Sequence, residues 1–260
     1  MKIAVIIPAA GSSSRYGKRD KLAEDLGGRP LLLRTVEFFT KREDVTEIIV
    51  AGPQTQFNAF QDRFSPALSF HGVTIVQGGE TRCDSVSNAL HSLSDDVERI
   101  AIHDAARAAL FNTLFDNLIL ASKNYPAVAA AIRIQGTIKR ADSTPNVIGN
   151  EDAIADAILG ESTQSSVEAY QVIETIDRTS MWELQTPQMF EPELLKRAYE
   201  QSNLQDCTDD AQVVEKLGEP VYLIQGDSRN MKVTTPSDYK LMKSILGVKG
   251  EQERPAHKRF

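Results

Sequence analysis

At 260 residues the chain is too long to need disulfide or metal staples and long enough for one large α/β domain with an appendage. Hydrophobic and charged contents of 41% and 25% exclude global disorder, and a formal charge of −7 argues against broad adhesion to nucleic acid or to an anionic membrane. Cys83 and Cys207 are the only cysteines and lie far apart without metal-ligand spacing, which excludes a disulfide framework and points to a reducing cytoplasm.

The chain opens with Lys2 ahead of an apolar run, Ile3–Ile7, which Pro8 interrupts. That run is too short for a signal sequence, and no stretch approaches the roughly 20 apolar residues that span a bilayer, so a buried first strand is expected. It ends in a small-residue turn, Pro8-Ala9-Ala10-Gly11-Ser12-Ser13-Ser14, followed by Arg15 and Lys21. Consecutive backbone N–H groups in such a turn make an anion nest, and the guanidinium fork and the mobile ammonium can grip a triphosphate together. The spacing fits neither a Walker A loop nor the dinucleotide fingerprint. A solvated basic loop is the plain alternative.

Further apolar runs at Glu47–Ala51, Val73–Gln77, Arg99–His103 and Ala127–Ile132 lack polar alternation, as in strands covered on both faces. Between them, 30–40, 54–64, 82–93 and 111–123 carry apolar residues three and four apart, as helices do. This alternation predicts a doubly wound, mostly parallel α/β sheet whose ligands bind beyond the carboxyl ends of the strands. After the third strand, Gly78 and Gly79 allow close backbone approach, and Ser85 and the nearby amides suit a nucleobase edge as well as a plain helix start. After the fourth, His103 reads as an orienting histidine. Asp104 is placed to hold Mg²⁺ on phosphate oxygens, with Arg107 beside it, although Asp104 could otherwise cap a helix.

Past Arg133 the rhythm breaks. Residues 149–168 carry five acidic residues and no basic one, so most of the formal charge belongs to this excursion, with a short helix expected over 152–159. The core is expected to resume after Tyr170, with helices near 192–200, 209–217 and 236–246 and a strand at 221–225, before a flexible tail over 248–260. One domain over 1–247, with an arm at about 134–176, accounts for the whole pattern.

Taken in order, P-A-A-G-S-S-S-R-Y-G, G-G-E-T-R-C-D-S-V, H-D-A-A-R, T-I-K-R-A-D, I-D-R, Q-T-P-Q and N-M-K-V-T-T-P-S-D resemble the bacterial and plastid 2-C-methyl-D-erythritol 4-phosphate cytidylyltransferases. The resemblance covers about 2–148 and 170–246 and implies a Rossmann-like, GT-A-like nucleotidyltransferase core with a protruding arm. It implies that CTP and a sugar-alcohol phosphate condense with Mg²⁺, releasing pyrophosphate. Arg15 and Lys21 would steady the α-phosphate, Ala9, Ala10, Gly11, Gly79, Glu80 and Ser85 would hold the nucleotide, and Asp104 would hold the metal. Arg107, Thr137, Arg178, Thr186 and Lys232 would hold the acceptor, with the arm crossing to a partner subunit in a homodimer. Three departures stand out: Asp20-Lys21-Leu22 where the family has Pro-Lys-Gln, Ala108 where it has Pro, and 41 positions between Thr137 and Arg178. The alternatives are a cytidylyltransferase for another polyol phosphate such as ribitol 5-phosphate and, more remotely, a noncatalytic nucleotide-binding protein on the same scaffold.

Overall fold

The computed structural model describes residues 1–11, 16, 20–149 and 166–248. Arg15, the expected helix at 152–159 and the tail from 249 onward lie outside the described residues. The chain forms two compact units, Met1–Ile132 with Leu184–Phe260, and Arg133–Glu183.

In the larger unit the elements run β1 (Ile3–Pro8), α1 (Leu31–Thr40), β2 (Val45–Gly52), α2 (Phe57–Phe70), β3 (Thr74–Gln77), α3 (Arg82–Leu90), β4 (Arg99–Ile102), α4 (Asn112–Ser122) and β5 (Ala127–Arg133). The smaller unit holds β6 (Ile138–Ala141), β7 (Asn146–Gly149), β8 (Ser166–Ala169) and β9 (Val172–Ile176). The larger unit is completed by β10 (Trp182–Phe190), α5 (Pro192–Tyr199), α6 (Asp210–Lys216), β11 (Tyr222–Gln225) and α7 (Pro236–Ile245). The seven-stranded sheet has the order β11-β5-β10-β4-β1-β2-β3. β1 pairs in parallel with both β2 and β4, β2 with β3, and β5 with β11.

Every residue of β1 from Ile3 to Ile7 is fully buried, because Ile3, Val5 and Ile7 enter one core cluster while Ile6 enters the other. A strand buried on both faces has no polar face to alternate, which is why this strand reads as a plain apolar run. On one side α1 buries Leu31, Leu32, Val36 and Phe39 at helical spacing, and Phe39 meets Phe115 and His103 edge-to-face at 5.6 and 5.3 Å. Capping boxes start two helices: Thr81 with Asp84 opens α3, and Thr235 with Asp238 opens α7, where Pro236 fills the first turn.

Two elements depart from the sequence expectation. α2 runs through Pro66 to Phe70 instead of stopping near Phe64, because Phe60, Phe64 and Leu68 continue one buried stripe. β10 is a strand that the apolar pattern does not predict: it pairs antiparallel to β4, and Gln185, Thr186 and Gln188 within it are buried and polar. Pro187 follows a cis peptide bond in the same strand. Such a composition hides a strand from any search for apolar runs.

The smaller unit also corrects an expectation. The core does not resume after Tyr170, since β9 belongs to this unit, which extends past the expected end of the arm to Glu183. β6 pairs antiparallel with β9, and β7 with β8, so the unit is built of two ladders. Val147, Ile148, Val167, Val172 and Ile173 are each more than half exposed on them.

Packing at Phe39 makes a first prediction. Phe39→Ala lowers the unfolding free energy in a urea titration by about 3–5 kcal/mol, the usual loss for a fully buried aromatic. Phe70→Ala, at a residue 85% exposed, changes it by less than about 0.5 kcal/mol.

Candidate active site

Strand order reverses at β1, which has β2 on one side and β4 on the other, and such a switch point opens a crevice at the carboxyl ends of the strands. A cavity of about 350 Å³ lies there, lined by Pro8–Gly11 after β1, Glu80–Arg82 and Ser85 around the start of α3, Asp104–Ala106 after β4, and by Lys21 and Lys232. A second cavity of about 260 Å³ is lined by Arg107, Gln185, Thr186, Gln188, Thr208 and Asp209. Arg82, Asp104 and Lys232 line both.

The glycines divide by what surrounds them. A Cβ on Gly78 would lie 2.4 Å from the Gly52 carbonyl oxygen, and one on Gly79 would lie 2.2 Å from Asp84 Cβ, so this turn admits no side chain. Among the described residues a Cβ on Gly11 would meet nothing within 4 Å, and Gly11 lines the cavity. Ser85 Oγ accepts from Gly79 N at 3.1 Å and donates to the Thr81 carbonyl at 2.9 Å. Its donor is therefore committed to shaping the glycine turn, and one lone pair remains.

Lys21 is presented by a 3-10 turn, Lys21–Ala23, that Asp20 caps by accepting from Leu22 N at 3.0 Å while Leu22 is buried. The departures at Asp20 and Leu22 thus serve the turn, and the lysine still enters the cavity, where Nζ donates to the Val233 carbonyl at 3.3 Å. Val233 is fixed in turn by its own N–H, which donates to the Ala106 carbonyl at 2.9 Å, so the segment carrying Lys232 is tied to the segment carrying Asp104.

β4 stops at Ile102, and the next two residues are held by one hydroxyl. Thr186 Oγ1 accepts from Asp104 N at 2.9 Å and lies 3.1 Å from His103 Nδ1, while His103 Nε2 lies 3.0 Å from the Arg107 carbonyl. One arrangement satisfies all four groups: neutral His103 donates from Nε2 to that carbonyl, and Thr186 donates to Nδ1. Burial pushes the His103 pKa down to about 4, in keeping with an orienting role. Thr186, expected to hold the acceptor, lines the second cavity with its hydroxyl already serving as a strut.

The Asp104 carboxylate is 11% exposed and has Lys232 Nζ at 3.0 Å and Arg107 Nε at 3.2 Å on Oδ2, with Arg82 Nε 3.8 Å from Oδ1. Burial opposes its charge, but Lys232, Arg82 and Arg107 outweigh burial and hold the carboxyl well below the usual carboxylate range. Arg107 is buried and also donates to the Asn230 carbonyl at 2.7 Å.

Sequence reasoning missed two residues here. Arg82, inside the quoted glycine motif, forks onto fully buried Asp210 at 3.0 and 2.6 Å, and Tyr199 donates to the same carboxylate at 2.6 Å. The Asp209-Asp210 doublet at a helix start was the available signal. Cys83 beside them is no nucleophile, since burial pushes its thiol up to about 11. Among the described residues no three His, Cys, Asp or Glu side chains gather as a metal site, and no helix is long and apolar enough to cross a membrane.

In the smaller unit Thr137 precedes β6 and Arg178 follows β9, both exposed. Ile138 pairs with Ile176, so the long sequence separation still leaves Thr137 and Arg178 at the same end of one ladder, and Arg178 donates to the Gln135 carbonyl.

A mostly parallel sheet with a cation-lined, carboxylate-bearing cavity at its switch point defines a Rossmann-like nucleotidyltransferase. A family model described as 2-C-methyl-D-erythritol 4-phosphate cytidylyltransferase matches residues 3–248. Proteins of that name from Microcystis aeruginosa and Trichodesmium erythraeum are 35% and 33% identical over 245 residues, which cover 93% of this chain and 97% of each relative. The crystal structure of the Thermus thermophilus protein of that name superposes with a TM-score of 0.70 at 27% identity, covering 95% of this chain and 100% of that one. The chain belongs to the 2-C-methyl-D-erythritol 4-phosphate cytidylyltransferase family.

The His103 network predicts a pH dependence. Between about pH 6.5 and about pH 4 the unfolded chain holds a proton on this histidine that the folded chain excludes, so folding stability falls as pH drops through that window. The slope is about 1.4 kcal/mol per pH unit at most. Urea titrations at several pH values in this window should show the gap between wild type and His103→Gln narrowing as pH falls; parallel curves would mean that His103 titrates alike in both states.

Proposed function

We propose that this chain condenses CTP with 2-C-methyl-D-erythritol 4-phosphate, giving 4-diphosphocytidyl-2-C-methyl-D-erythritol and pyrophosphate for isoprenoid biosynthesis. The observation that carries this reading is the pair of adjoining cavities whose common wall is Arg82, Asp104 and Lys232. One cavity suits a nucleoside triphosphate, the other a small polyol phosphate, and the cations stand where two anions must meet. A phosphate attacking another phosphate needs its repulsion relieved and its approach aligned; the nucleophile is already ionised, so no general base is required.

In this assignment the small-residue loop Ala9, Ala10 and Gly11 receives the triphosphate, and Lys21 with Arg15 steadies the α-phosphate as negative charge accumulates on it. Gly79, Glu80 and Ser85 take the cytosine. The lone pair left on Ser85 Oγ suits the exocyclic amine, which is a donor. Arg107, Lys232 and Thr186 face the acceptor. The residues also fit Mg²⁺: Asp104 Oδ2 is occupied by Lys232 and Arg107, whereas among the described residues Oδ1 has only Arg82, beyond hydrogen-bond range. One such oxygen suffices for an ion that keeps most of its shell as water and phosphate. Bound there, Mg²⁺ would add positive charge at the phosphate oxygens.

The larger unit forms the catalytic domain in this reading and the smaller one the arm. The exposed Val147, Ile148, Val167, Val172 and Ile173 support a homodimer in which the arm packs on a second subunit and brings Thr137 and Arg178 to the neighbouring acceptor. A cytoplasmic location accords with two free, buried cysteines.

The test is pyrophosphate release by purified protein with CTP, Mg²⁺ and each acceptor. Activity with 2-C-methyl-D-erythritol 4-phosphate is expected, and activity with ribitol 5-phosphate alone would overturn the assignment. Lys21→Ala should lower turnover by about 100-fold or more, the scale of one lost contact to a charged transition state. Asp104→Asn should raise the Mg²⁺ concentration needed for half-maximal rate, and an unaltered metal requirement would remove Asp104 from that role.

A further inference from the structure

We infer that Arg82 is a positioning residue for Asp104, set in place by a buried relay, Tyr199 to Asp210 to Arg82, that lies behind the reaction cavities; the inference rests on the function proposed above. Among the described residues Asp104 has three cationic partners, and they are held in different ways. Lys232 and Arg107 bind Oδ2 directly at 3.0 and 3.2 Å. Arg82 presents only Nε to Oδ1, at 3.8 Å, because both terminal nitrogens of its guanidinium are turned away onto Asp210.

That fork is the stronger attachment. Two parallel charge-assisted bonds at 3.0 and 2.6 Å fix the plane of the guanidinium, which a single contact would leave free to rotate. Asp210 is fully buried, so its carboxylate cannot turn to water and depends on Arg82 and on the Tyr199 hydroxyl at 2.6 Å. Asp210 opens α6 and Tyr199 closes α5, so the relay is mounted on two helices. Its geometry keeps a positive charge beside Asp104 while stopping that charge from closing on Oδ1. An unrestrained Arg82 would reach a bidentate pair with Asp104, and Oδ1 would then be withdrawn from the cavity. Asp210 touches neither cavity, and acts through Arg82 alone.

The experiment compares wild type, Asp210→Asn, Arg82→Lys and the double variant by initial-rate kinetics, with folded fraction from circular dichroism and CTP affinity from calorimetry. Wild-type activity with CTP and 2-C-methyl-D-erythritol 4-phosphate is established first; its absence overturns the proposed function and not the relay. Each single substitution should lower kcat per folded molecule by at least about tenfold; in Asp210→Asn, whose residue lines neither cavity, CTP affinity should stay within about threefold, because an orienting interaction and not a substrate contact is lost. Lysine keeps the charge but cannot form the fork, so Arg82→Lys should not restore function. The double variant should be no slower than the worse single, since both substitutions break one relay. Independent, multiplicative losses, or Asp210→Asn with a lowered melting temperature and kcat within about twofold of wild type, would overturn the inference. If Asp210→Asn does not fold, Tyr199→Phe decides: it leaves the ion pair in place and should lower kcat by about threefold in wild type and not at all in Arg82→Lys. An unchanged kcat in the wild-type background overturns the relay.

Discussion

A carboxylate taken out of water must be paired or it will not stay ionised, and Asp104 meets that demand with Lys232, Arg107 and Arg82 drawn from three separate parts of the chain. Much of the larger unit can be understood as the means of bringing those three cations to one place. β4 ends just short of Asp104, Thr186 on the antiparallel neighbour holds its backbone, and His103 ties the same turn to Arg107. The Val233 to Ala106 bond delivers Lys232 from the far end of the chain, and Asp210 delivers Arg82 from the start of α3. Electrostatic preorganisation of this kind works because the surrounding dipoles and charges are fixed before any substrate arrives.

The central part of the fold was legible because its strands are apolar on both faces and its helices amphipathic, and those two periods do not mimic each other. The loops were legible for the opposite reason: small residues followed by isolated charges at strand ends have few structural uses. What stayed hidden is equally physical. β10 is buried yet polar, with Gln188 bonded to Ala211 N and Asp209, and Gln185 to Asp227, so its burial is balanced by partners distant in sequence. The ladders of the smaller unit bury little and leave no apolar period to read. Ser85 and Thr186 announce hydroxyls, but a sequence does not say which hydroxyls are already engaged, and here both brace a backbone turn. Arg82 and Asp210 each sit at the start of a helix, where charged residues are common, and only the folded chain joins them.

The same contrast applies to the glycines. Gly78 and Gly79 are sterically required by their own surroundings, whereas none of the described residues crowds Gly11. A glycine that lines a cavity and that no described residue crowds lets a ligand approach the backbone closely. The steric map therefore separates residues that build the site from residues that make way for its contents.

The ladder in the smaller unit bears on how such a protein tolerates change. Ile138 opposite Ile176 fixes one end, and Gly149 opposite Ser166 closes the chain again further along. Closure entropy rises only slowly with separation along a chain, by about 0.6 kcal/mol for each doubling, so a pairing between distant strands need not be costly. The long separation of Thr137 and Arg178 in sequence is therefore compatible with their shared end of the ladder. Distance along the chain and distance across the ladder are separate quantities, and only the second decides what these two side chains can reach together.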